Sequence, residues 1–286
     1  MTIHLKNQLK KHLPDRLRVV LKPLFGIFYG ALRTVDKIWD KIANRIVYDK
    51  QTAAEITEYF RLDRKQAGLM LKSGVTANAL LWQALSPDTE EATRNFYKTT
   101  PFYVFDLAYW HMEKRQQKFR DKVVSAASGE VLEYGGGIGD LCIQLAEKGL
   151  DVTYGDLAGV TFDFAGWRFK KRGLDIKVMD LENAKLRGPY DTIICIDVIE
   201  HLSQPEVVLE EIAASLKPQG KLIITLWFDL DDAATHPMHF KLHSDVEQLM
   251  QSLGLQKTDN RWLWVKAAED GVSAGTPLNK IPSTRG

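Results

Sequence analysis

Between Lys122 and Ala268 the chain alternates short apolar runs with amphipathic stretches. The runs EVLEYG (130–135), DVTYGD (151–156), DIKVMD (175–180), YDTIICID (190–197) and KLIITLWF (221–228) predict strands. The fourth is apolar almost throughout, as a strand buried on both faces must be. The stretch DLCIQLAEKG (140–149) places Leu141, Leu145 and Ala146 at helical spacing and stops at Gly149. VTFDFAGWRFKKRG (160–173) ends in Lys170, Lys171 and Arg172 and then Gly173, the charge and the stop that suit a helix C-terminus. PEVVLEEIAASLKPQG (205–220) begins a helix at Pro205 and leaves it before Pro218-Gln219-Gly220. SDVEQLMQSLG (244–254) offers Ser244 as an N-cap with Glu247 three residues on. LQKTDNRWLWVKAA (255–268) suits a final strand or pair of strands. Strands alternating with helices require right-handed crossovers. The expected fold is therefore α/β, a doubly wound, mostly parallel, Rossmann-like sheet with helices on both faces.

Three regions separate. Residues 1–121 carry helix-period patterns and read as an N-terminal α-helical domain; residues 122–268 hold the sheet; residues 269–286, EDGVSAGTPLNKIPSTRG, read as a tail with little to bury. The formal net charge of +1 gives no overall reason to expect nucleic-acid binding. The charge is uneven, however. Met1–Lys50 has eleven Lys or Arg against four Asp, and the remainder has 27 basic against 33 acidic residues. That asymmetry assigns the basic N-terminal arm a separate role. Its segment LRVVLKPLFGIFYGALRTVDKIW mixes apolar density with scattered cations, as an interfacial helix does, although Pro23 and Gly26 argue against one continuous helix. The readings are a helical pair packed on its own domain or on a partner subunit, in a homodimer, and peripheral contact with a membrane surface. No uncharged apolar run is long enough to span a bilayer, and Lys10, Lys11, Asp15, Arg16 and Arg18 break any signal-peptide core. Cys142 and Cys195 lie in apolar surroundings without a Cys or His neighbourhood and read as reduced, buried thiols of a cytoplasmic protein.

The chemistry begins at VLEYGGGIGDLC, on the first strand–helix turn, where a doubly wound sheet binds its ligand. Gly135, Gly137 and Gly139 are spaced GxGxG, not GxGxxG, and let backbone approach a ligand closely. A phosphate loop would follow its last glycine with Lys and Ser or Thr. Here Asp140 and Leu141 follow and Glu133 precedes, so the loop favours a cationic or neutral ligand. Acids also end the next three strands. Asp156 is placed to accept ribose hydroxyls, Asp180 to accept an adenine amino group while Leu181 packs on the ring, and Asp197 stands at the reacting end. Any one of these acids can instead be a helix cap.

VLEYGGGIG, VTYGD, VMDLEN and YDTIICIDVIEHL resemble the successive motifs of class I S-adenosylmethionine-dependent methyltransferases. LKPQGKLIITL is similar to the family's later strand motif, and HPMHFKLHSDVEQLMQSLGL to the stretch that follows it in many small-molecule members. The resemblance covers roughly Gly129–Leu255 and is silent on residues 1–121. It implies S-adenosyl-L-methionine as cofactor, with Glu133, Tyr134, Gly135, Gly136 and Gly137 around the methionine end. It places Asp156 and Leu157 at the ribose, Asp180 and Leu181 at the adenine, and Asp197 and Val198 beside the reacting methyl.

Methyl transfer from a sulfonium needs an aligned nucleophile and, for a hydroxyl, removal of a proton. His201, His236 and His239 are the candidate bases, with His243 next; imidazole titrates near neutral pH. Each can equally cap a helix or shape a loop. Glu200 with His201 offers a divalent ion two ligands without an evident third, so no metal is expected. FYKTTPFYVFDLAYWHMEKR (96–115) is denser in aromatics than a surface helix needs. It either packs the helical region onto the sheet or lids a pocket for a flat or greasy acceptor, with Tyr103 a candidate catalytic hydroxyl. TAAEITEYFRLDRKQAGLML (52–71) reads as two short helices around Arg61-Leu62-Asp63, a plain helical subdomain rather than a DNA-binding pair. The expected activity is methylation of a small, hydrophobic or aromatic, natural-product or quinone-like molecule. The alternatives are methylation of a membrane lipid or isoprenoid and, in another class, a nucleic-acid-binding regulator that senses S-adenosylmethionine. The acidic balance beyond Gln51 counts against the last, and no nucleic-acid partner is expected.

Overall fold

A computed structural model describes residues 46–226 and 245–268. Five helices come first: α1 Lys50–Tyr59, α2 Arg64–Leu85, α3 Glu90–Thr99, α4 Phe102–His111 and α5 Lys114–Ala126. Then follow β1 Glu130–Tyr134, α6 Asp140–Glu147, β2 Asp151–Asp156, α7 Val160–Arg172, β3 Lys177–Asp180 and β4 Tyr190–Cys195. A 3-10 turn at Ile199–His201, α8 Pro205–Ala214, β5 Leu216–Ile224, α9 Val246–Ser252, β6 Leu255–Lys257 and β7 Leu263–Lys266 complete the described chain. The sheet order is β3-β2-β1-β4-β5-β7-β6. The pairs from β3 to β5 are parallel, and β7 is antiparallel to both β5 and β6. The strand order reverses between β1 and β4, which opens a crevice at their carboxyl ends.

The expected α/β sheet is the observed one, with its last segment forming a pair of strands. Three details differ. β5 begins at Leu216 rather than Lys221, because Leu216 pairs with Tyr190 before the register shifts to Thr192–Lys221. The N-cap of α9 is Asp245, and Ser244 lies outside the described residues. α5 runs across the expected domain boundary at residue 121 and packs Val123 into the sheet core with Val131 and Leu145. The basic arm, the histidines His236, His239 and His243, and the tail from Glu269 lie outside the described residues. No helix among the described residues is long and apolar enough to cross a membrane.

Burial follows the period of each element. Ile193, Ile194 and Cys195 of β4 are sealed on both faces. One core lies between the sheet and α8–α9, with Leu209, Ile212 and Met250; the other lies beneath α5–α7, with Val123, Leu145 and Phe169. Cys142 and Cys195 are buried free thiols. The loop after α1 turns at Arg61, and Asp63 caps α2 in a reciprocal box with Gln66. α2 runs 22 residues, so the second of the two helices is long rather than short. Its Gly74 lies where α2 crosses α4: a Cβ there would stand 2.6 Å from the backbone nitrogen of Asp106.

The helical region shares its core with the sheet. Ile56, Leu71, Val104, Phe105 and Met112 pack with Ile138 of the glycine loop and Phe164 of α7. At the same joint Arg168 of α7 is only 1% exposed. It donates to Glu55 at 2.7 Å and to Thr52 at 2.9 Å, both on α1, and to the carbonyl of Ile138. Its other partner is Asp140, at 2.6 Å. A guanidinium presents five donors in a fixed fork and can serve all of these together. Replacing Arg168 with Met leaves the Glu55 and Asp140 carboxylates buried with fewer cations, so the expected loss is about 3–5 kcal/mol. Urea denaturation measures it, and a loss below about 1 kcal/mol contradicts the assignment.

Candidate active site

The cavity at the carboxyl ends of β1, β2 and β4 encloses about 950 Å³. Its floor is the glycine loop. Gly135 has φ +74°, and a Cβ on it would meet a Val198 methyl at 2.4 Å. Gly137 has φ +54° and lies beneath Leu107 of α4. Both positions demand glycine on conformation, and Gly135 also on space. The loop is tied to β2: Gly135 and Gly136 donate to the carbonyl of Gly155, Gly137 donates to Asp156 Oδ2 at 2.7 Å, and the Tyr154 hydroxyl donates to the carbonyl of Gly137.

Of the expected site residues, Glu133, Tyr134, Gly135, Gly136 and Gly137 line the cavity from β1 and its loop. Asp156, Leu157 and Leu181 line it from β2 and β3, and Asp197, Val198, His201 and Tyr103 from the far side. Asp180 does not line it. Its carboxylate is occupied by the N–H groups of Ala158 and Glu182 and by Asn183 Nδ2, so it closes the turn after β3, and its pKa is lowered. No helix follows for it to cap, and Leu181 and Glu182 line the cavity beside it in sequence. Asp197 has φ +54°, an uncommon conformation for a residue other than glycine, held by Thr225 Oγ1 on both its N–H and its carboxylate.

The buried carboxylates are not ordinary ones. Burial raises Glu133 to about 8, opposed by its bond from the Cys142 N–H and reinforced by the charges of Asp140 and Asp156. Burial raises Asp156 to about 6, against the N–H groups of Leu157 and Gly137. A cavity lined by close-set glycine backbone and desolvated carboxyl groups suits a ligand that brings positive charge and hydroxyl donors.

The roof comes from α3, α4 and α5. Phe96 and Phe105 are packed inward, whereas Tyr97, Tyr103, Trp110 and His111 line the cavity, so the aromatic segment is divided between core and cavity wall. Tyr97 Oη lies 2.8 Å from His201 Nδ1. Burial, then Glu200 and Asp106, push the Tyr97 phenol up, and burial does the same at Tyr103, so both hydroxyls stay protonated at neutral pH. Asn78, Asp106 and Arg120 also line the cavity and carried no motif in the sequence. Only Asp106 left a signal, as the sole acid in the apolar helix FYVFDLAYWH. Among the described residues no group of three or more His, Cys, Asp or Glu is placed to hold a metal ion.

The fold and the site define a nucleotide-type crevice adapted to a positively charged adenosine derivative. The model of a family described as "Methyltransferase domain" matches residues 109–270, more than half of the chain. The chain belongs to the S-adenosylmethionine-dependent methyltransferase family. It is 32% identical over 157 residues to the ubiquinone biosynthesis O-methyltransferase of Xanthomonas axonopodis pv. citri (strain 306), covering 49% of this chain and 66% of that one. It is 33% identical over 103 residues to the protein of that name in Xanthomonas euvesicatoria pv. vesicatoria (strain 85-10), covering 35% of this chain and 43% of the relative. The alignment thus spans less than half the length of that relative. An O-methyltransferase family protein from Burkholderia thailandensis is similar in structure, at 15% identity and a TM-score of 0.47, over 90% of this chain and 99% of that one.

Glu133 supplies a check on the site's electrostatics. Its pKa is raised from 4.5 to about 8, so the folded state holds a proton that the unfolded chain has released. The stability tied to that proton is fully present below pH 4.5 and is lost as pH rises through about 8. Glu133→Gln therefore gains stability relative to the parent between pH 6 and pH 9. A difference that does not change with pH in denaturation experiments contradicts the shift.

Proposed function

We propose that the protein transfers a methyl group from S-adenosylmethionine to a hydroxyl of a small apolar or aromatic acceptor of the quinone-precursor kind. The observation that carries this reading is the His201–Tyr97 pair set in the wall of the glycine-floored cavity. S-adenosylmethionine supplies, when bound, a methyl carried on a sulfonium that leaves as a neutral thioether. Every other requirement falls to the protein.

Asp156 holds the ribose hydroxyls with the lone pairs that Gly137 and Leu157 leave open. Leu157 and Leu181 pack on the base, with Glu182 at its edge. Glu133 and the glycines hold the methionine end, where the loop's carbonyl groups accept hydrogen bonds and a bound cation favours ionisation of the Glu133 carboxyl, which keeps its proton at neutral pH without one. Tyr103, Leu107 and Trp110 cover the cavity, exclude water and offer the acceptor an apolar face. His201, whose Nδ1 is hydrogen-bonded with Tyr97 Oη, is the base that takes the acceptor's hydroxyl proton. The phenol of Tyr97 stays protonated, so it holds the imidazole ring in place without taking that proton itself. The curated relatives named as ubiquinone biosynthesis O-methyltransferases support an oxygen as the acceptor atom. His236, His239 and the membrane-facing reading of the basic arm remain expectations of the sequence alone.

Methyl transfer is measured with radiolabelled S-adenosylmethionine and a panel of catechols bearing apolar tails. His201→Gln lowers kcat by about a hundredfold or more. Tyr97→Phe lowers it by about tenfold and moves the pH–rate profile, the expected signature of a lost hydrogen-bond partner of the imidazole. Transfer undiminished in both variants removes the base assignment. Asp156→Ala and Glu133→Ala each weaken S-adenosylhomocysteine binding in calorimetry, and undiminished binding by both removes the donor site. Asp156 must be ionised to accept two hydroxyl donors. Donor affinity is therefore full above pH about 7 and falls as pH drops through about 6, the raised pKa of that group.

A further inference from the structure

His111 ends α4 and is placed with unusual care. Its Nδ1 lies 2.8 Å from Asp140 Oδ2. Arg120 of α5 donates to its carbonyl at 2.8 Å. Asp140 is the first residue of α6, directly after the glycine loop, and its other oxygen is held by the buried Arg168. Burial pushes the Asp140 carboxyl up, but Arg168 and His111 outweigh it and hold the group far below its ordinary range. Asp140 is thus an acceptor only, and the proton between the two sits on Nδ1. Burial lowers His111 below its ordinary value, against the pull of Asp140, so the ring is neutral at neutral pH.

A neutral imidazole with its proton on Nδ1 presents a lone pair at Nε2. That nitrogen has no hydrogen-bond partner among the described residues. The side chain keeps 23% of its surface open and lines the same cavity as Gly135, Gly137 and Leu107. The carboxyl groups of Glu133, Asp140 and Asp197 lie near, and the neighbouring cation, Arg120, donates through Nη2 to the His111 carbonyl rather than to its ring. A lone pair at this place calls for a donor that carries positive charge.

We propose that His111, held in one tautomer by Asp140, accepts a hydrogen bond from the primary ammonium at the methionine end of the methyl donor. This rests on the donor site proposed above and adds a residue that no motif marks. His111 is then a binding residue and Asp140 the residue that positions it. Because His111 belongs to the helical region, donor binding closes the contact between α4 and the glycine loop from the ligand side as well.

The test is calorimetry on the full chain with two probes, S-adenosylhomocysteine and its desamino analogue, which keeps the carboxylate and lacks the ammonium. His111→Ala weakens S-adenosylhomocysteine by about tenfold and the analogue by less than about twofold. His111→Gln, whose terminal carbonyl can take the place of Nε2, recovers part of the loss. Equal weakening of the two probes, or none, overturns the proposal. A second measurement uses the unsubstituted protein. Nitrogen-15 imidazole spectra show a histidine with a protonated Nδ1 and a pyridine-like Nε2, which moves upfield with S-adenosylhomocysteine and not with the analogue. The same shift with both probes, or with neither, overturns the proposal. Failure of the unsubstituted protein to bind S-adenosylhomocysteine overturns the donor site itself, a distinguishable result.

Discussion

The buried guanidinium of Arg168 is the interaction on which the rest depends. It bonds Glu55 and Thr52 of α1, the Ile138 carbonyl and Asp140 beside the glycine loop. Glu55 takes a second cation from Arg172. Desolvating such charges is costly, and the geometry repays the cost only because nearly every lone pair and proton in the group has a partner. The return is position. The first helix of the N-terminal region and the loop that floors the cavity are fixed to one side chain, so roof and floor are registered before any ligand arrives.

That registration explains how chemistry is divided across the cavity. The floor is backbone and carboxylate, drawn from β1 and β2, and it is polarised for positive charge. The roof is aromatic and comes from helices that share a core with Ile138 and Phe164. The imidazoles stand at the boundary. His201 meets Tyr97 at one end, and His111 meets Asp140 at the other. Each ring has its Nδ1 held by a neighbour, and at His111 the acceptor-only Asp140 fixes the tautomer as well. The raised pKa values of Glu133 and Asp156 are the energetic mark of the same design, carboxylates kept from water until a ligand compensates them.

How much of this was legible in the sequence depended on range. The strands, their carboxyl-end acids and the glycine loop are contiguous signals, because backbone conformation and its side-chain requirements are local. Asp180 shows the limit of such local signals. Its position at a strand end suits a ligand, but the chain that follows, Leu181-Glu182-Asn183, brings local donors that take the carboxylate first. The Tyr97–His201 contact joins residues 104 apart, and the Arg168–Glu55 bond residues 113 apart. No pattern along the chain announces such pairs; they exist only once helices cross, as α2 and α4 do at Gly74. The aromatic segment showed that a function was concentrated there, but only packing separated Phe96 and Phe105, which fill the core, from Tyr97 and Tyr103, which face the ligand.

The central claim is that the glycine-floored cavity seats the methyl donor with its reacting end toward His201. A crystal structure with S-adenosylhomocysteine tests it directly. The account predicts ribose hydroxyls on Asp156, the base between Leu157 and Leu181, and the sulfur facing the side of the cavity where Tyr97 and His201 meet. A ligand bound elsewhere, or one whose sulfur points away from His201, contradicts it.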